Sequence, residues 1–255
     1  MSMRLASRRI PNGRDGASIR KWAMVFLAAG IVGQSVIHNG ILNTYAGTEG
    51  QLSDTMVMGL LTMALMCQIV ETCAAPLLAF LLVEGFRRTS SFEKYLLRIG
   101  AVALVSELPY NLAYSSKLLA VGSRNPVFGL FISLIMLYFF SRYDGKRLKN
   151  ILMKLVVFAA AILWCKMLRI DQGVCLVILA GTFWLTRANS GMRSLYAFAA
   201  TMLCTMFSIY YMGGCLSCIM LHRYNEERGE QNVKLNYAFY PALMLICGVI
   251  SLIIG

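Results

Sequence analysis

The chain of 255 residues carries 24 Lys+Arg against 12 Asp+Glu, a formal net charge of +12, and is 58% apolar and 14% charged with a mean hydropathy of +0.64. Soluble domains run at about 45–50% apolar and about 25% charged. The displacement on both axes excludes a disordered chain, a disulfide-stapled secreted miniprotein and most soluble enzymes. It implies an all-α, polytopic membrane helix bundle.

From the N-terminus, residues 1–21 read as a basic cytoplasmic tail, disordered or lying on anionic lipid. Residues 22–255 read as a single transmembrane domain. A crossing helix needs about 20 mostly apolar residues. Eight stretches are candidates: Trp22–Leu42, Val57–Gly85, Tyr95–Ala113, Val127–Ser141, Ile151–Leu168, Gly173–Thr186, Ser194–Gly213 and Leu235–Ile254. The fourth and sixth are short. Only Arg169-Ile170-Asp171-Gln172 separates the fifth from the sixth, which predicts a tight helical hairpin. The runs are continuous and lack period-2 alternation, so a transmembrane β-barrel is excluded. The first run exceeds the about 7–15 apolar residues of a signal peptide, and no A-x-A site follows it, so it is expected to stay as an anchor.

With the N-terminus inside, 17 of the 24 Lys and Arg fall on the inner side. Seven fall outside: Lys117, Arg124, Lys166, Arg169, Arg223, Arg228 and Lys234. The positive-inside rule then predicts both termini in the cytoplasm, an even number of crossings and a place in the cytoplasmic membrane. The charge is thereby explained by loop topology, and the partner it implies is the lipid bilayer, with no nucleic acid.

Most of the eight Cys lie in apolar segments, where Cys acts as a small hydrophobe. Cys215 and Cys218 form a single C-x-x-C, a weak zinc signal without a second pair, so no metal is expected. Gly-rich phosphate loops of the P-loop or dinucleotide type are absent.

Charged groups inside spans are the informative ones, because each costs a few kcal/mol and by default faces a partner or a cavity. His38 lies toward the outer end of the first span and is either a hydrogen-bonded helix-end residue or an acid–base group. Asn39 follows it. Glu107 stands in Ser106-Glu107-Leu108-Pro109-Tyr110-Asn111, where Pro109 removes a backbone donor and frees a carbonyl. It reads either as a cavity wall with Tyr110 and Asn111 or as a helix–helix hydrogen bond. Glu71, five residues before Pro76, is a site group or a bundle-interior hydrogen bond. Glu84 precedes Arg87 and Arg88 at helical spacing, which gives an ion pair on one helix face or an arginine cluster for a phosphorylated cofactor. Asp171 opens the sixth span, as a helix cap or as a partner for His38. His222 reads as a solvated residue of the outer loop.

Three strings resemble one family. Phe80-Leu81-Leu82-Val83-Glu84-Gly85-Phe86-Arg87, Lys94-Tyr95-Leu96-Leu97-Arg98 and Ser106-Glu107-Leu108-Pro109-Tyr110-Asn111-Leu112 are similar to the TraX family of integral membrane proteins, associated with N-terminal acetylation of conjugative pilin. Asp171-Gln172-Gly173 stands like the family's Asp-Tyr-Gly, and Phe239-Tyr240-Pro241 matches in the last span. The resemblance runs from about residue 22 to the end. Three positions depart from it: Ile37 precedes His38 where the family has Asp, Thr72 stands nearest an expected Arg, and Leu243 replaces a His after Tyr240-Pro241.

The resemblance implies an integral membrane acyltransferase that moves acetyl from acetyl-CoA to an amine or hydroxyl acceptor, a protein N-terminus such as that of a pilin or a small molecule. The expected catalytic groups are His38, Glu107 and Asp171. The expected substrate contacts are Asn39, Asn111, Tyr110 and Glu71, and Glu84, Arg87 and Arg88 would face the cofactor. The rival readings are a small transporter or exporter subunit using the buried carboxylates as proton sites, and a catalytically impaired assembly partner of a secretion or pilus system.

Overall fold

The computed structural model describes residues 13–45, 52–117, 122–145, 147–189, 191–230 and 232–254. Of the described residues 81% are helical, and none is in a strand. Five helical stretches are long and apolar enough to cross a membrane: Gly16–Tyr45, Asp54–Arg88, Phe92–Ser115, Leu148–Met167 and Leu235–Ile254.

Helix α1 (Gly16–Tyr45) starts earlier than expected, because the Asp15 carboxylate accepts from the Ser18 amide at 2.8 Å and caps the first turn. Residues 16–21 of the expected tail are thus helix; residues 1–12 lie outside the described residues. From Val32 to Leu42 α1 widens into a π-helix, a geometry that is rare and concentrated at functional sites. The second apolar run divides into α2 (Asp54–Thr72) and α3 (Ala74–Arg88) at Cys73. Pro76 causes the break, since it has no N–H for the Thr72 carbonyl and its ring crowds that oxygen. Then follow α4 (Phe92–Ser115), α5 (Val127–Arg142), α6 (Leu148–Met167), α7 (Gly173–Leu185), α8 (Arg193–Cys204), a 3-10 turn (Ile209–Gly213), α9 (Gly214–His222) and α10 (Val233–Ile254). The expected hairpin is present: α6 and α7 are joined through Leu168–Gln172, and that connection pairs with Arg124 of the α4–α5 loop.

The seventh expected span does not cross. Ser194 on α8 meets His222 on α9 at 3.1 Å, and Thr201 meets Cys218 at 3.7 Å, so the two short helices run antiparallel and return to the end they left. The tip of this re-entrant hairpin lodges against the α2–α3 break. There the Thr72 hydroxyl donates to the Tyr210 carbonyl at 2.8 Å, and the Cys73 thiol to the Gly213 carbonyl at 3.0 Å. The break exposes backbone in the middle of the bundle, and the tip satisfies it.

This corrects the expected topology. The Arg14 amide donates to the Arg223 carbonyl and the Gly16 amide to the Glu227 carbonyl, so the loop after α9 lies at the start of α1. His222, Arg223 and Arg228 therefore sit at that basic end and not in an outer loop. Helix α10 runs from there to the far end, where the Tyr45 hydroxyl donates to the Ile254 carbonyl. Gly13 and Ile254 lie at opposite ends of the bundle, where the loop count had expected both termini on one side. Among the described residues, Lys117, Arg124, Lys166 and Arg169 are the Lys and Arg left at the far end, so the charge asymmetry is steeper than the sequence count gave.

The core lies between α3, α5 and α7. Phe80 packs edge-on against Phe183 and Tyr224, and the Arg193 guanidinium covers Phe80 at 4.9 Å and Tyr224 at 5.2 Å. Helix α6 is the opposite case. Leu152, Leu155, Val156, Leu163 and Trp164 are exposed on its surface, which suits hydrocarbon.

Candidate functional site

A cavity of about 410 Å³ opens at the basic end and runs inward between α1, α3, α4 and α10. Arg20, Arg88, Arg98 and Arg228 line its mouth, and Gln172 and Tyr240 line its inner end. Its depth follows from α1: Arg20 and Gly30 are ten residues apart, roughly 15 Å at ~1.5 Å per residue, and Gly30 packs directly on Glu71. A side chain at position 30 would occupy the space of the Glu71 side chain, so the glycine admits the carboxylate to the bundle interior.

Glu71 is 6% exposed. The Tyr114 hydroxyl donates to both its oxygens at 3.2 and 3.4 Å, and the Gln172 amide reaches Oε1 at 3.5 Å. Asp171, beside Gln172, lies within electrostatic reach of both Tyr110 and the Glu71 carboxyl. Two carboxyl groups thus lie within electrostatic reach of each other just beyond the cavity end. Among the described residues neither has an ion-pair partner. Such an arrangement calls for a cation or a shared proton.

Three buried polar atoms on the cavity wall have no hydrogen-bond partner among the described residues: Arg20 Nε, Asn236 Nδ2 and Tyr240 Oη. All three are donors. Asn236 and Tyr240 are four residues apart, so they share one face of α10. Buried donors without acceptors are costly, and the strip from Arg20 to Tyr240 is matched by a ligand rich in acceptors, such as phosphate and carbonyl oxygens.

The expected residues divide. Asp171, Glu71 and Tyr110 come together beyond the inner end. Glu84 lines the cavity, but its oxygens are held by Arg87 at 2.7 Å and Arg88 at 3.0 Å. Arg88 also ties down the loop after α9, donating to the Tyr224 hydroxyl at 3.1 Å and the Glu226 carbonyl at 2.8 Å. Arg87 does not line the cavity. Arg20, Arg98 and Arg228 do, and sequence reading missed their convergence because they come from α1, α4 and the loop after α9. Arg98 ends the Lys94–Arg98 string, the one available signal.

His38 and Glu107 lie elsewhere. Among the described residues, the polar partner of His38 is Asn39, 3.0 Å from its Nδ1. Asn39 donates to the Ala113 carbonyl at 2.9 Å, and Gln68 and Gln34 extend the same network along α2 and α1. Asp171 therefore partners Glu71 and Tyr110, and not His38. Glu107 accepts from Arg124 at 3.0 Å and from the Asn125 side chain at 2.7 Å, which clamps the α4–α5 loop. Asn111 is buried, its Oδ1 without a partner among the described residues, and it lies off the cavity wall.

All eight cysteines are free thiols. Among the described residues no three His, Cys, Asp or Glu side chains converge in a way that holds a metal. The Cys215–Cys218 pair lies on α9, where the Cys218 thiol contacts Thr201 and the Gly214 carbonyl.

No curated protein and no solved structure matches the chain. Residues 17–251 match the family described as TraX protein, which spans nearly all the helices above. The strings quoted from α3 and α4 fall inside that match, on two helices that border the cavity, and the chain belongs to the TraX family.

Proposed function

We propose that this membrane protein is an acyltransferase that accepts acetyl-CoA through the arginine-lined mouth and acylates an amine at the inner end of the cavity. The observation that carries the reading is the cavity itself: cationic at its mouth, lined by donors with no partner among the described residues, and ending at two carboxyl groups that have no ion-pair partner among those residues. The phosphates of the donor meet Arg20, Arg88, Arg98 and Arg228. The thioester carbonyl reaches Tyr240 Oη, whose free hydrogen stabilises the developing oxyanion. Glu71 and Asp171 hold the acceptor as an ammonium, and Asp171, the more exposed of the two, removes its proton. Gln172 stands between the cavity and Glu71. Its 3.5 Å contact is at the limit of a hydrogen bond, so its amide is free to yield to the substrate. The basic end faces the cytoplasm under the positive-inside rule, which is where acetyl-CoA is made.

The test is acetyl transfer by purified protein in detergent, with isotope-labelled acetyl-CoA and a peptide bearing a free N-terminus. Arg20→Gln is expected to weaken acetyl-CoA binding about tenfold, the loss of one charge-assisted hydrogen bond, measured by calorimetry. Tyr240→Phe is expected to lower kcat about 10²-fold while the acetyl-CoA Kd stays within a factor of about two. Absence of acetyl-CoA binding by the wild type would return the protein to the assembly-partner reading. Proton-driven uptake in place of acetyl transfer would favour the transporter reading. Abolition of transfer by His38→Ala, with Asp171→Asn active, would move the chemistry to the π-helical part of α1.

A further inference from the structure

The polar groups do not stop where the cavity does. Tyr110 lies within electrostatic reach of the Asp171 carboxyl, and its hydroxyl oxygen lies 2.9 Å from Ser123 Oγ. Ser123 is exposed at the end of the bundle opposite the arginine mouth, next to exposed Arg124. Tyr110 is 2% exposed. The barrier between the paired acids and the far surface is therefore one phenol thick.

We propose that Asp171, Tyr110 and Ser123 form a proton path that joins the inner end of the cavity to the opposite face of the membrane. The source of the proton rests on the acyl-transfer reading; the path itself does not. Once the ammonium has lost a proton, the free amine attacks the thioester, a C–N bond forms and the C–S bond breaks. The leaving thiolate takes one of the two protons the nitrogen gives up, and the other is left over. Asp171 receives it, passes it to Tyr110 Oη as the Tyr110 proton moves to Ser123 Oγ and the water beyond, and the hydroxyls rotate back. No electron changes hands.

The arginine mouth is the poorer exit. A proton leaving that way would pass Arg20, Arg88, Arg98 and Arg228, along a cavity filled by the donor. The titratable groups within electrostatic reach of Asp171 are Glu71 from α2, Tyr110 and Tyr114 from α4, Tyr211 from the 3-10 turn and Tyr240 from α10; Tyr110 also feels Glu107. All are carboxyls or phenols. The cation nearest the exit, Arg124, is held by Glu107.

The experiment measures proton equilibration across liposomes carrying the full-length protein and an enclosed pH-sensitive dye, after an external acid step. With the cavity empty, wild-type vesicles are expected to equilibrate several-fold faster than protein-free vesicles. Tyr110→Phe should return the rate to background; it removes the hydroxyl and keeps the ring that stacks on Tyr114 at 4.6 Å. Ser123→Val, at an exposed position with no packing role, should do the same by covering the exit. External acetyl-CoA should slow the wild-type rate by filling the mouths that face outward. Equal rates for wild type, Tyr110→Phe and Ser123→Val would overturn the path. A block by both substitutions with no effect of acetyl-CoA would sustain the path and sink the acyl-transfer reading.

Discussion

Asp171→Asn is expected to lower the rate of acetyl transfer about 10²–10⁴-fold, the range for loss of a positioned general base. The substitution is nearly isosteric. The α6–α7 connection is held by the backbone bonds of Arg169 and Asp171 to Arg124, which the substitution leaves in place, so it should keep its shape. Arg20 at the mouth lies roughly 15 Å along α1 from Gly30, which packs on Glu71, so acetyl-CoA affinity should stay within a factor of about two. Single-turnover transfer with a peptide acceptor separates the two quantities, since loss of the base reduces kcat and leaves donor binding alone. Glu71→Gln should act differently. It removes half of the cation site, so the acceptor KM should rise along with a smaller fall in kcat. A full rate in Asp171→Asn would remove the carboxyl pair from the mechanism.

Gly213→Ala is expected to be the most damaging small substitution for stability. An ideal Cβ at position 213 runs into the Ile69 carbonyl oxygen and stands 2.8 Å from Ile69 Cγ2 and 2.9 Å from Thr72 Oγ1. The first obstacle is backbone and cannot rotate away, so the 3-10 turn has to withdraw. Withdrawal breaks the Thr72–Tyr210 and Cys73–Gly213 hydrogen bonds and leaves the freed backbone of the α2–α3 break without partners. Overpacking of this kind costs about 1–3 kcal/mol, and at ~2–4 °C per kcal/mol for a chain of this size the melting temperature should fall by about 2–12 °C. The eight free thiols supply the readout, through a thiol-reactive fluorophore that reports their exposure on heating in detergent. Gly59→Ala is the control, because a Cβ there meets nothing within 4 Å. Equal melting curves for the two variants would show that the hairpin tip is not wedged at the break.

Several features were legible in the sequence because they depend on local composition. The apolar runs of α1, α4, α6 and α10, the tight α6–α7 hairpin and the Glu84–Arg87–Arg88 ion-pair face follow from length, hydropathy and helical spacing. The family strings of α3 and α4 marked two helices of the cavity wall. The re-entrant hairpin was not legible. Ser194–Gly213 has the apolar content of a crossing helix, and hydropathy does not tell a chain that crosses from one that turns back against another helix's broken backbone. That single error carried His222, Arg223 and Arg228 to the wrong end and placed both termini on one side.

The site shows the same division. The sequence named Glu71, Tyr110 and Asp171 from the cost of burying polar groups, but had no means of pairing Asp171 with Glu71 over His38, since both pairings put two polar groups near one end of the bundle. Sequence by itself determined that this is an all-helical membrane protein of strongly asymmetric charge with a handful of intramembrane carboxyls, because these follow from transfer energies that act residue by residue. Only the tertiary structure decided which of those groups meet and where the chain turns back. It also decided that Arg20, Arg98 and Arg228 share one cavity mouth with Arg88, because long-range packing fixes such contacts between elements far apart in the chain.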